Sequence, residues 1–170
     1  MKQHTVYLGI GSNSDAEIHI RSGVAELIKK FGYSEISSVY LSEAIGIKGP
    51  PFLNLVIAIK TNLALADLIQ CLKVIEACFG RAKKRVKFSP ITLDIDVLAF
   101  DDYCGNISGV VLPRPETFEY AHVLCPFAEL APELVLPNCQ HSLATLWRQQ
   151  DVAKQSIDRV NFNWAEALAG

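Results

Sequence analysis

The sequence predicts an α+β fold: a ferredoxin-like βαββαβ core, its antiparallel sheet carrying both helices on one face, with additional C-terminal helices. Three observations carry this. Apolar residues recur with a period of two or of about 3.6 in the order strand, helix, strand, strand, helix, strand. Both helical stripes end at a glycine, Gly32 and Gly80. The connection between the second and third strands is long enough to return the chain antiparallel.

Thr5 to Ile10 reads as the first strand, followed by a tight Gly11-Ser12-Asn13 turn that either lets a ligand approach the backbone closely or is a plain turn. Ser14-Asp15-Ala16-Glu17 has the form of a capping box, and Ile18, Val24, Leu27, Ile28 and Phe31 form the helical stripe behind it. Glu35 to Leu41 is the second strand. A loop with Gly46, Gly49, Pro50 and Pro51 leads to the third, Phe52 to Lys60. Leu65, Leu68, Ile69, Leu72, Ile75 and Phe79 mark the second helix. Ile91 to Phe100 is the fourth strand, with Leu93, Ile95 and Val97 on one face and Asp94 and Asp96 on the other. Right-handed crossovers put both helices on one side and leave the other open to these acids. Val110 to Pro115 is extended, Tyr120 to Ala131 and His141 to Gln150 are short helices fit to wall the open side, and Phe162 to Ala169 reads as a last turn. With no repeat, low-complexity tract or linker, residues 1–170 read as a single domain.

Composition narrows the class. Of the 170 residues 50% are hydrophobic and 20% charged, as in a soluble globular protein, and no apolar run is long enough to cross a bilayer. The five cysteines are odd in number and form no Cys-x-x-Cys pair, which argues for reduced thiols, against structural zinc, and, with no leader-like start, for a cytoplasmic protein. A net charge of −2 argues against a nucleic-acid partner. Gly9-x-Gly11 is not a dinucleotide fingerprint, because Ser14 stands at the third glycine position and no acid ends a second parallel strand.

Chemistry concentrates around the fourth strand. Two carboxylates at i and i+2 stand roughly 6.5–7 Å apart, close enough to grip one or two divalent cations. Acids at a sheet edge with basic partners would show the same pattern. Arg81 to Lys87 packs five of the 16 basic residues into seven positions just before that strand. A metal-gripping pair beside a basic loop suits polyphosphate transfer, where cations bridge phosphate oxygens and Lys and Arg neutralise developing charge. Glu76, on the helix before the loop, is either an acceptor for a nucleotide or an exposed helix acid. Phe52 and Asn54 share a strand face, a ring beside an amide that suits a flat heterocycle, although core packing plus an edge amide reads the same way.

Together, Gly11-Ser12-Asn13, Phe52-Leu53-Asn54, Glu76 with Gly80-Arg81, Pro90-x-Thr92-Leu93-Asp94-Ile95-Asp96 and Pro126-x-x-Glu129-x-Ala131-Pro132 resemble the 6-hydroxymethyl-7,8-dihydropterin pyrophosphokinase family of folate synthesis, in the family's order from about Val6 to Glu133. The resemblance implies ATP as co-substrate, two magnesium ions, and transfer of the β,γ-pyrophosphate to the pterin hydroxymethyl group with AMP leaving. It implies that Asp94 and Asp96 hold the metals and, with Arg81, are catalytic. By the same likeness Ser42, Ile45, Phe52, Asn54 and His122 form the pterin site, and Glu76, Arg81, Lys83, Lys87 and Val97 contact ATP, the basic run serving as a lid. The implied partners are small molecules, with no membrane, in a monomer or weak homodimer.

Departures from the family pattern keep alternatives open. Ile91 stands where the family has an arginine, leaving Arg85 or Arg114 to replace it and turnover in question. The lid tryptophan is Phe88, and a nearby arginine is Lys83, which lacks the bidentate fork. Glu43-Ala44 replaces a proline pair. The family's Pro-His-Pro-Arg is Pro113-Arg114-Pro115-Glu116, followed by Tyr120 and by His122 in place of a stacking phenylalanine. A paralogue with another pterin or alcohol acceptor, and an ATP- or pterin-binding module of weak catalysis, are the alternatives.

Overall fold

Pairing of the strands builds one antiparallel sheet. The computed structural model describes residues 2–32, 34–46, 48–80, 89–149 and 151–165. Its elements are β1 (His4–Ser12), α1 (Ala16–Phe31), β2 (Glu35–Ile36), β3 (Val39–Ser42), β4 (Phe52–Thr61), α2 (Leu65–Cys78), β5 (Asp94–Phe100), β6 (Gly105–Ile107), β7 (Val110–Leu112), α3 (Glu116–Glu119), α4 (Ala121–Leu130), α5 (Leu143–Gln149), a 3-10 turn (Asp151–Lys154) and β8 (Ile157–Val160). The sheet runs β5-β1-β4-β3-β8, with β2 also on β4, and β6 and β7 form a separate hairpin. The expected βαββαβ core is present.

Alternation along the strands sorts the core into two layers. Val6, Leu8 and Ile10 of β1, Leu55, Ile57 and Ile59 of β4 and Ile95 and Val97 of β5 pack with Ile20, Val24 and Leu27 of α1 and Leu65, Leu68 and Leu72 of α2. On the opposite face Val56, Leu98 and Ala99 pack with Leu124 and Phe127 of α4 and Leu143 of α5. The pairing of β1 with β5 shifts register between Tyr7 and Leu8, so Leu98 and Ala99 both fall on the α4 side. Helices α4 and α5 thus cover one part of the open face and leave the part under Asp94 and Asp96 uncovered.

Several local expectations are corrected. Gly11 and Ser12 lie inside β1, not in a turn. The capping box does not form: Asp15 sits at the helix start with φ 42° and makes no side-chain cap. The polar groups before α1 are instead turned to Ile91, with Asn13 N donating to its carbonyl (2.9 Å) and its N–H donating to Asn13 Oδ1 (2.6 Å). This double bond fixes the approach to β5. Ile18 and Ile28 are exposed, and Ile20 takes the buried position. The second strand splits because Ser37 Oγ accepts the Val56 N–H (2.9 Å), a bond the backbone would otherwise accept. The last turn expected over Phe162 to Ala169 lies partly outside the described residues, and β8 was not expected because only its ends are apolar.

One glycine in α1 sets how closely that helix approaches the loop before β5. A Cβ on Gly23 would come within 2.8 Å of Leu93 Cδ2, and Leu93 is fully buried with nowhere to retreat. Gly23→Val is expected to cost about 1–3 kcal/mol through overpacking, read as a lower denaturation midpoint at unchanged m value.

Candidate active site

Register places the acids beside a strip of sheet without side chains. Gly11 of β1 pairs with Asp94 on one side and Asn54 on the other, and Gly9 pairs with Asp96 and Val56. The glycines keep the floor low between the aspartates of β5 and Asn54 of β4. A Cβ on Gly11 would stand 3.4 Å from Asn54 Oδ1 and 3.8 Å from Phe52 Cδ1. Above the floor lies a cleft of about 290 Å³ lined by Ser42, Glu43, Ile45, Phe52, Asn54, Ile91, Asp94, Asp96, Arg114, Glu116, Tyr120 and His122. All five residues expected to hold the pterin therefore meet here, as do both expected metal ligands.

Asn54 is buried and held by β3: Nδ2 donates to Ser42 Oγ (2.9 Å) and to the Tyr40 carbonyl (3.3 Å). Its Oδ1 thereby points over Gly11 as an acceptor. The Ser42 hydroxyl thus orients Asn54. Ile45 is half exposed at the rim.

A second cavity, of about 350 Å³, lies against β5 and α2 and includes Lys73, Glu76, Val97, Ser108 and Gly109. Glu76 is not an exposed acid. It is buried, and its Oε1 accepts the Ile95 N–H at 2.7 Å, tying α2 to the residue between the two aspartates. Val97 is buried in the same wall. Asp96 and Arg114 line both cavities. Arg81, Lys83 and Lys87, with Arg85 and Phe88, lie outside the described residues.

Arg114 is fixed at this junction. Its backbone N–H donates to the Leu98 carbonyl (2.8 Å), and Nη2 stands 3.2 Å from Asp96 Oδ1. Glu116 Oε2 lies 3.3 Å from Nε, yet this buried N–H lacks the geometry of a hydrogen bond. The glycine floor is not visible in the sequence. The signal was a Gly-x-Gly spaced like the Asp-x-Asp, but only the register sets them side by side.

Helix α4 carries the far wall. Tyr40 donates to Glu129, whose Oε1 also accepts the Ser38 N–H at 2.7 Å. Burial alone would raise the Glu129 carboxyl, but the Tyr40 and Ser38 hydrogen bonds and the Arg159 charge outweigh it and hold the group below its usual range. At the other end His122 stacks on Tyr120, with ring centroids 5.3 Å apart. Burial pushes the imidazole below its ordinary value of 6.5, so it enters the cleft neutral. The unfolded chain takes up this proton more readily than the fold, so the His122 contribution is constant above about pH 6.5 and declines below it. Urea midpoints of wild type and His122→Phe are expected to run parallel above that pH and to separate below it, the wild type losing more.

Two cavities meeting at Asp96 and Arg114, one with a ring and an amide, the other backed by a buried glutamate, have the form of a transferase site with room for two substrates. The comparisons agree. Residues 7–132 match the model of the 7,8-dihydro-6-hydroxymethylpterin-pyrophosphokinase family, and the chain belongs to that family. It is 34% identical over 140 residues to the 2-amino-4-hydroxy-6-hydroxymethyldihydropteridine pyrophosphokinase of Pseudomonas aeruginosa, covering 80% of this chain and 86% of that one. Against the Helicobacter pylori enzyme of the same name it is 36% identical over 128 residues, 72% and 78% of the two chains. Among solved structures, a HPPK-DHPS complex with substrates superposes with a TM-score of 0.71 at 12% identity over 94% of this chain. Plasmodium falciparum HPPK-DHPS gives 0.69 at 15% identity over 87%. This chain spans 47% and 45% of those two chains, and at such identity they speak for the fold alone. No helix among the described residues is long and apolar enough to cross a membrane.

Proposed function

We propose that this chain transfers pyrophosphate from ATP to the hydroxymethyl group of 6-hydroxymethyl-7,8-dihydropterin, releasing AMP, with residues 1–170 acting as one catalytic unit. The observation that carries the reading is the placement of Asp94 and Asp96 beside the glycine floor, with Asp96 shared by the two cavities. The acceptor belongs in the cleft between Phe52 and His122, its ring N–H groups donating to Asn54 Oδ1. The nucleotide belongs in the cavity of Val97 and Glu76. Glu76 serves it chiefly by fixing Ile95, and so the spacing of the two aspartates.

The donor set fits magnesium. Two hard carboxylates share one strand face, and a guanidinium already stands at Asp96 Oδ1 as a cation in the place a metal would take. Asp94 and Asp96 would hold two magnesium ions, which supply charge neutralisation and orientation of the triphosphate. The protein's own residues do the rest. The sheet holds the acceptor hydroxyl against the donor, and Arg81, Lys83 and Lys87 add positive charge from the basic run, a role resting on sequence and family likeness. With isoleucine at position 91, Arg114 supplies a cation at Asp96.

A second reading has one favouring observation: Glu43 and His122 bring an acid and a titratable ring into the acceptor cleft. Phosphorus NMR of magnesium-ATP incubated with hydroxymethyl-dihydropterin, then with other pterins and small alcohols, separates the two. The first reading requires AMP and a pterin diphosphate with the named acceptor. AMP formed only with another acceptor favours the second.

A further inference from the structure

Asp96 and Arg114 form the wall between the two cavities, and their ion pair occupies the position where the proposed reaction needs both a free carboxylate and a free cation. The Arg114 backbone is pinned by its N–H bond to the Leu98 carbonyl, and the guanidinium extends from that anchor. The guanidinium divides between Asp96 (3.2 Å) and Glu116 (3.3 Å). Its Nε–H is buried 3.3 Å from Glu116 without the geometry of a hydrogen bond, so part of its donor capacity is unused. A guanidinium is a bidentate partner for phosphate oxygens as readily as for a carboxylate.

We infer that Arg114 is a handover cation: it holds Asp96 while no metal is bound, and moves its guanidinium to the donor's phosphates when a divalent cation takes that carboxylate. This rests on the proposed function for the identity of the donor, but not for the competition at Asp96. Arg114 and the metal seek the same oxygen, so the free protein resists metal. Once metal is bound, the released guanidinium is poised for the anion. Metal and polyphosphate thus assist each other through one side chain. Lys73 lines the same cavity and carries the same charge without an ion pair to Asp96, so it supplies the field without the competition.

Manganese binding in the absence of nucleotide, followed by the EPR signal of the free hydrated ion, is the test. Arg114→Gln is expected to bind manganese about 3- to 10-fold more tightly than wild type, as removal of a half-exposed competing ion pair implies, and Lys73→Gln less than about 2-fold. The same Arg114→Gln protein is expected to bind a magnesium complex of a non-hydrolysable ATP analogue roughly 10-fold more weakly. Unchanged or weaker manganese binding in Arg114→Gln overturns the handover, as does an equal gain in Lys73→Gln. A measurement on wild type removes any dependence on how the variants fold: the Arg114 Nε–H NMR signal is expected to shift when magnesium alone is added, and a signal indifferent to magnesium refutes the proposal. Neither experiment uses AMP release, so failure of the proposed reaction and failure of the handover are read separately.

Discussion

Asp96→Asn, and separately Asp94→Asn, are expected to lower AMP release by at least about 10³-fold while leaving the protein folded. An amide keeps the size of the side chain and can still accept a hydrogen bond, but it carries no charge to hold a cation on triphosphate. The strand tolerates the change because both residues lie on the uncovered face, opposite the layer that holds Ile95 and Val97. Circular dichroism and the urea midpoint establish the fold, and the rate of AMP formation gives the effect. Retention of more than a tenth of wild-type turnover in either variant removes these carboxylates from the chemistry.

Gly11→Val is expected to act in two opposite directions. Glycine inside a strand weakens it, and valine suits a pleated surface, so stability is expected to hold or rise slightly. The new side chain, however, stands on the cleft floor, with its Cβ 3.4 Å from Asn54 Oδ1 before the two methyl groups are added. A flat ring can then no longer lie against the floor and present its hydroxyl to the donor. The expected loss is about 10²-fold or more in kcat/KM for the acceptor, with nucleotide affinity little changed because the donor cavity does not include residue 11. Steady-state kinetics with varied acceptor, alongside a binding isotherm for the ATP analogue, measure both halves. A variant with normal acceptor kinetics would mean that the ring does not lie over Gly11.

The fold was readable because its signal is periodic. The alternation in Leu53 to Ile59 and the helical spacing of Leu65, Leu68 and Leu72 record which face is buried, and burial is what the core enforces. Asp94 and Asp96 were readable for the same reason: acids in an apolar strand stand out against its period. What the sequence hid is pairing. Nothing in Gly9-Ile10-Gly11 states that β5 lies alongside it, so Gly11 looked like part of a turn, although the register of the glycines beside the aspartates and Asn54 makes them a floor. Glu76 stayed open between a nucleotide acceptor and an exposed acid because its partner, the Ile95 N–H, is nineteen residues away. Arg114 was visible as a replacement for the arginine missing at Ile91, but its hold on Asp96 follows only from the β7–α3 connection passing β5. Likewise β8 pairs with β3 from more than a hundred residues away, a contact that no local pattern announces.

Release of AMP from magnesium-ATP in the presence of 6-hydroxymethyl-7,8-dihydropterin is the most direct measurement. A pyrophosphokinase gives AMP in one-to-one ratio with diphosphorylated pterin, dependent on both magnesium and acceptor. No AMP above background from protein shown to be folded and to bind magnesium-ATP would contradict the proposed function.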